Sequence, residues 1–215
     1  MNIRSVRYGV SVLALAAICG LLAGCDDGGG GGLANKDPGN NDVNVVACFG
    51  DSLTQGNACD CTPYPARLAG LIDKTVFNSG VQGSIASDSV GRTQDAIDKY
   101  HPAFMLILYG VGDIIHSLGA SSAAAAVGQM VDICMQNNVV PVIATYPIPI
   151  ADHQAFANGT RLLNSRLRNM AEEKGIVCVE LEKEFGEDPA LYEPDGLHPN
   201  DAGTQIMAMA FADLF

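Results

Sequence analysis

From about residue 43 onward the chain alternates two kinds of block. Short, nearly unbroken apolar runs fall at Val43–Phe49, Thr75–Asn78, Ala103–Tyr109, Val139–Thr145 and Ile176–Glu180. Runs of this length predict buried strands, because a strand covered on both faces has no polar side to show. Between them lie longer segments with helical spacing: Tyr64–Leu71, Ser87–Tyr100, the alanine-rich Ser121–Asn137, Ala155–Lys174 and Asp201–Leu214. Pro63 and Pro65 flank the start of the first, where a missing N–H does no harm. Ser87 or Asp88 suits the N-cap of the second. Gly175 follows the fourth, where a left-handed residue ends a helix. Pro199 suits the first position of the last. Strands alternating with helices predict a parallel sheet of about five strands with helices on both faces, one three-layer α/β/α domain over residues 43–215.

The N-terminal part has a different texture. Arg4 and Arg7 precede an apolar run, Val10–Ala23, that is short for a spanning helix and reads as an export signal over residues 1–24. It ends Leu22-Ala23-Gly24-Cys25, which resembles a bacterial lipobox. That resemblance implies lipidation of Cys25 and a domain held on the periplasmic or cell-surface side of a membrane. Residues 25–42 are acidic, then pure glycine, then polar, and predict a flexible tether spanning on the order of 25 Å.

The net charge of −12 and a pI near 4.5 exclude nucleic acid as a partner, since no basic cluster is present to neutralise phosphates. Of the seven cysteines, Cys48, Cys134 and Cys178 lie inside apolar patterns and read as buried thiols. Cys59 and Cys61 fall in a loop, free to pair with a distant partner; a lone Cys-x-Cys is weak evidence for a metal, and none is expected. Oligomeric state is not legible.

Candidate chemistry sits at two places far apart. Phe49-Gly50-Asp51-Ser52-Leu53-Thr54-Gln55-Gly56 follows the first strand, and a serine just past a strand's C-terminal end stands where open α/β sheets keep their ligand crevices. A serine hydroxyl needs a base, itself oriented by a third group. Asp195-Gly196-Leu197-His198 supplies both between the last strand and the last helix. Three residues apart, the carboxylate can accept from one ring nitrogen and leave the other free to take the proton of Ser52. His101 and His153 have no motif around them and read as surface residues.

Gly50-Asp51-Ser52-Leu53, Gly83, the Gly-x-x-Asp segment after the central strand, and Asp195-x-x-His198 together resemble the SGNH (GDSL-type) hydrolases, over about Val43 to Phe215. The resemblance implies a flavodoxin-like sheet and a serine esterase that works through an acyl-enzyme without a cofactor. It implies Ser52 as nucleophile, His198 as base and Asp195 as orienting acid, with the N–H groups of Ser52 and Gly83 as oxyanion donors. The glycine at 83 would let backbone approach the oxyanion without a Cβ clash.

The chain departs from the family pattern in one place. Where the family has Gly-x-Asn-Asp, with the asparagine as third oxyanion donor, this sequence reads Gly110-Val111-Gly112-Asp113. Three readings stay open: a slower enzyme, a replacement donor drawn from His116, Asn57 or Gln55, or a glycan-binding module that has lost turnover. With catalysis retained, the expected substrate is a short-chain or acetyl ester, a small molecule or an envelope glycan; a lysophospholipase or thioesterase is the alternative.

Overall fold

The computed structural model describes Leu33 and residues 37–215. β3 (Pro102–Leu108) is buried along its whole length and forms the middle of a five-stranded sheet. β1 (Asp42–Gly50) and β4 (Val140–Ala144) pair with it on either side, β2 (Thr75–Gly80) lies outside β1, and β5 (Val177–Val179) lies outside β4. Every pairing is parallel, and the order is β2-β1-β3-β4-β5. The direction of winding reverses between β1 and β3, the point where doubly wound sheets open a crevice at the strands' carboxyl ends.

Helices cover both faces. α3 (Ala86–Tyr100), α5 (Ala120–Gln136) and α6 (Ala157–Lys174) pack side by side, as do α2 (Tyr64–Leu71) and α8 (Asp201–Ala212), whose rings Tyr64 and Phe211 stack at 5.2 Å. α5 turns Ala123, Ala124, Val127, Met130, Val131 and Cys134 inward, a stripe at helical spacing. The predicted elements all occur, with ends displaced by a residue or two. Gly175 ends α6 at φ +63°, as expected of a left-handed cap. Three short α-helices among the described residues leave no mark in the sequence pattern: α1 (Ser52–Gln55), α4 (Val111–Ile115) and α7 (Leu181–Phe185). Each spans too few residues for a 3.6-residue period to register.

Several local expectations need correction. Neither Ser87 nor Asp88 caps α3; both lie inside its first turn, and the buried carboxylate of Asp113 accepts the N–H groups of Ala86 at 2.7 Å and Ser87 at 3.2 Å instead. Pro199 is not the first residue of α8. It bridges Tyr192, and Asn200 caps the helix by accepting from the N–H of Gly203. Cys59 and Cys61 are bonded to each other, not to a distant partner. Burial pushes the thiols of Cys48, Cys134 and Cys178 up to about 12, so they stay protonated and unreactive.

Part of the stretch read as a tether belongs to the folded body. Leu33 is buried in the core, its N–H 3.5 Å from the Leu214 carbonyl. The Asn41 amide donates to the carbonyls of Asn137 and Asn138, and Asp42 opens β1. The signal segment and Cys25 lie outside the described residues. Among the described residues no helix is long and apolar enough to cross a membrane.

Candidate active site

β1 ends at Gly50, and the next residue, Asp51, caps the short α1 by accepting the N–H of Leu53 at 3.0 Å. Its other carboxylate oxygen accepts the hydroxyl of the buried Tyr146 at 2.6 Å. Burial pushes the Asp51 carboxyl up to about 6; the bonds from Tyr146 and Leu53 and the nearby His198 pull the other way without cancelling it. These contacts fix the turn that carries Ser52, the first residue of α1. Its N–H has no acceptor within so short a helix.

The loop closed by the isolated Tyr192–Pro199 bridge brings up the partners. Asp195 Oδ1 accepts the backbone N–H groups of Leu197 at 2.9 Å and His198 at 3.0 Å. Asp195 Oδ2 lies 2.5 Å from His198 Nδ1, and His198 Nε2 lies 3.0 Å from Ser52 Oγ. Burial raises the Asp195 carboxyl, but the bonds from the His198 ring and from the two N–H groups outweigh it and hold the pKa below the ordinary carboxylate value. An ionised carboxylate can only accept, so Nδ1 carries the proton and Nε2 presents its lone pair to Ser52.

His153 is not the surface residue the sequence suggested. It is half-buried, and its Nδ1 lies 2.7 Å from the backbone carbonyl of Asp195, as a donor. Ile150 donates its N–H to the neighbouring Gly196 carbonyl at 2.8 Å. The segment after β4 therefore braces the Asp195 turn from behind. No motif marks His153; it follows Asp195's partners only in space.

The opposite wall is made of backbone. Gly83 occupies the third position of the turn Val81–Ser84, closed by the Ser84 N–H on the Val81 carbonyl, at φ +73°. Glycine suits that left-handed φ, and a Cβ at 83 would meet no atom of the described chain within 4 Å. The Gly83 N–H makes no hydrogen bond to the rest of the described chain. Across from it Gly112 lies in the first turn of α4, and here close approach is the reason. A Cβ at 112 would come within 3.1 Å of the Ser84 carbonyl and 3.2 Å of Ile85 Cγ2. The loop that carries Gly83 rests directly on the position where the family places asparagine.

Of the replacement donors suggested by the sequence, Gln55 is turned onto the same loop, where its Oε1 accepts the N–H of Gln82. Asn57 is exposed and lines no part of the crevice. His116 does line it. Ser52, His198, Gly83, Gly112 and His116 share a crevice of about 210 Å³, with Val111, Ile115 and Leu197 as apolar wall. Other concavities, one at Val140 and Val177 and one beside β5, are lined by neither serine nor histidine among the described residues. Among the described residues no cluster of His, Cys, Asp and Glu is set to hold a metal ion. A hydroxyl bonded to an imidazole that is bonded to a carboxylate, facing free backbone N–H groups, is equipped to attack a carbonyl and receive the resulting oxyanion.

The fold recurs in solved structures. A protein of the G-D-S-L family from Desulfitobacterium hafniense superposes with a TM-score of 0.71 at 22% identity, covering 80% of this chain and 99% of its own. An acetylxylan esterase from Geobacillus stearothermophilus gives 0.68 at 20% identity, with 78% and 92% covered. A GDSL-like lipase from Bacteroides thetaiotaomicron gives 0.67 at 17% identity, with 78% and 85% covered. No curated protein matches the sequence. The model of the GDSL-like Lipase/Acylhydrolase family matches residues 48–206, from the end of β1 into α8. The chain therefore belongs to the GDSL-like lipase/acylhydrolase family and is a carboxylic ester hydrolase.

Proposed function

We propose that this protein cleaves short-chain, acetyl-type esters with Ser52 as nucleophile, His198 as general base and acid, and Asp195 as the group that orients His198. The observation that carries the reading is the unbroken chain from Ser52 Oγ through His198 to Asp195, at 3.0 Å and 2.5 Å. Ser52 Oγ attacks the acyl carbonyl while its proton passes to Nε2, and the oxyanion forms against the N–H groups of Ser52 and Gly83. The imidazolium gives that proton to the departing alcohol, leaving an acyl-enzyme. Water then attacks the acyl carbon, loses a proton to His198, and releases the acid and free Ser52 Oγ–H.

The size of the crevice supports a small acyl group. At about 210 Å³ it lies below the usual range for drug-sized ligands, roughly 300–1,000 Å³. The acetylxylan esterase among the structural relatives is consistent with an acetylated glycan as substrate. An acyl series of p-nitrophenyl esters tests this: turnover is expected to be highest at acetate and to fall steadily with chain length. A maximum at long chains favours the lysophospholipase or thioesterase alternative.

One observation favours a second reading. Gly112 brings no side-chain donor, as expected of a domain that binds an envelope glycan without turnover. A fluorophosphonate probe discriminates: labelling of the wild type at Ser52 supports the enzyme, and no labelling with no hydrolysis supports the binder.

The chain is further proposed to be exported and held at a membrane through lipidated Cys25, on the strength of Leu22-Ala23-Gly24-Cys25 and the polar stretch after it. Metabolic incorporation of labelled palmitate that Cys25→Ser abolishes is the expected result.

A further inference from the structure

We propose that His116 supplies the third oxyanion hydrogen bond, in place of the side-chain donor missing at Gly112. The proposal rests on the esterase reading above.

His116 is one helical turn beyond Gly112, and its N–H donates to the Gly112 carbonyl at 2.9 Å. Residues four apart share a helix face, and the Cα–Cβ bond tilts toward the N-terminus, so the later side chain covers the turn before it. With an ordinary residue at 112 that surface would be occupied. Glycine puts no side chain of its own there: the Ser84 carbonyl and Ile85 Cγ2 lie 3.1 and 3.2 Å from where a Cβ would stand, and Gly112 and His116 both line the crevice that holds Ser52 and Gly83. The imidazole is exposed and makes no side-chain hydrogen bond among the described residues, so it is free to turn inward. It carries an N–H whether neutral or protonated.

The other polar side chains of the crevice are placed less well. Ser84 Oγ already donates to the Val81 carbonyl at 2.7 Å and meets the Tyr109 hydroxyl at 3.0 Å. Gln82 stands on the Gly83 side, which already contributes a backbone N–H. His116 alone approaches from the α4 side.

The test compares p-nitrophenyl acetate hydrolysis by the wild type, His116→Ala, His116→Gln and Gln82→Ala, with phenylboronic acid as a tetrahedral mimic that bonds to Ser52. His116→Ala is expected to lower kcat on the order of 10²-fold with KM changed less than about twofold, and to weaken boronate inhibition by a similar factor. His116→Gln, which keeps a side-chain N–H, is expected to recover part of both. Because His116 is exposed and unbonded, thermal unfolding should be unmoved. A His116→Ala kcat within about threefold of wild type, a loss confined to KM, or the kcat loss appearing in Gln82→Ala instead overturns the proposal while leaving the esterase standing. A wild type that neither hydrolyses the ester nor takes a fluorophosphonate label overturns both.

Discussion

The two walls of the crevice present different kinds of group to it, side chains on one and backbone on the other. On the His198 wall, side chains do the fixing. Both oxygens of Asp195 are engaged, the ring of His198 is bonded at both nitrogens, and His153 and Ile150 hold the backbone of the same loop. On the Gly83 wall, the groups proposed to work are backbone N–H groups, on loops that side chains of other segments hold: Gln55 on Gln82, Ser84 on Val81 and Tyr109, Asp113 on the start of α3. The difference sets how each wall fails. The first loses function when a side chain is removed. The second is expected to lose it when anything is added, because an added atom moves the backbone N–H groups proposed to receive the oxyanion.

The largest effect belongs to the shared residue. Ser52→Ala removes the atom proposed to attack, and turnover is expected to fall on the order of 10⁴-fold or more. Among the described residues Ser52 Oγ bonds only to His198, so urea unfolding should shift by less than about 1 kcal/mol. A variant that kept a tenth of the activity would mean that neither wall serves this hydroxyl.

Next comes Asp51, which anchors the turn between the walls. Its folded pKa of about 6 lies above the ordinary 3.8, so the folded state holds this proton more tightly than the unfolded chain does. The contribution is most favourable below about pH 4, declines as pH rises to about 6, and beyond that leaves a buried charge costing about 3 kcal/mol. Asp51→Asn should therefore gain stability relative to wild type between about pH 4 and pH 7, by up to about 3 kcal/mol. Urea unfolding at the two pH values measures it, and an identical offset at both would show that Asp51 does not titrate in this window.

How far the sequence reached follows the same division. Ser52, Asp195 and His198 were legible because each stands in a short motif whose residue types state a chemistry, and the three that meet in space are the three so marked. The apolar runs placed the strands, because a parallel strand buried on both faces leaves nothing polar in its pattern. What stayed hidden depends on contact between distant segments. The cap of α3 is Asp113, some 27 residues later; the brace on Asp195 is His153, 42 residues earlier. Gly112 could be read as an absent donor but not as a packing requirement, since Ser84 and Ile85 lie against it only in the fold.

That requirement makes Gly112→Asn a sharper probe than a simple restoration of the family residue. An asparagine Cβ forces Ser84 and Ile85 to give by a few tenths of an ångström, and the Gly83 N–H travels with them. Turnover is expected to drop about tenfold, despite the added donor, because the oxyanion site tolerates little displacement. Ester kinetics decide it: a rise in kcat would show that the backbone wall adjusts to additions, and the contrast between the walls would fail at its most constrained point.

The smallest effect probes the brace. His153 donates one hydrogen bond to the Asp195 carbonyl from outside the crevice, so it acts through Asp195 and not on substrate. One such bond is worth about 1 kcal/mol, and His153→Ala should lower kcat by roughly fivefold with KM unchanged. Asparagine places an N–H near the position of Nδ1, so His153→Asn should recover most of the loss. A role confined to stability would reduce the unfolding midpoint in both variants and leave kcat intact at temperatures well below it. The pattern of loss with alanine and recovery with asparagine is what a side-chain-built wall requires, since the group can be exchanged there without disturbing the backbone around it.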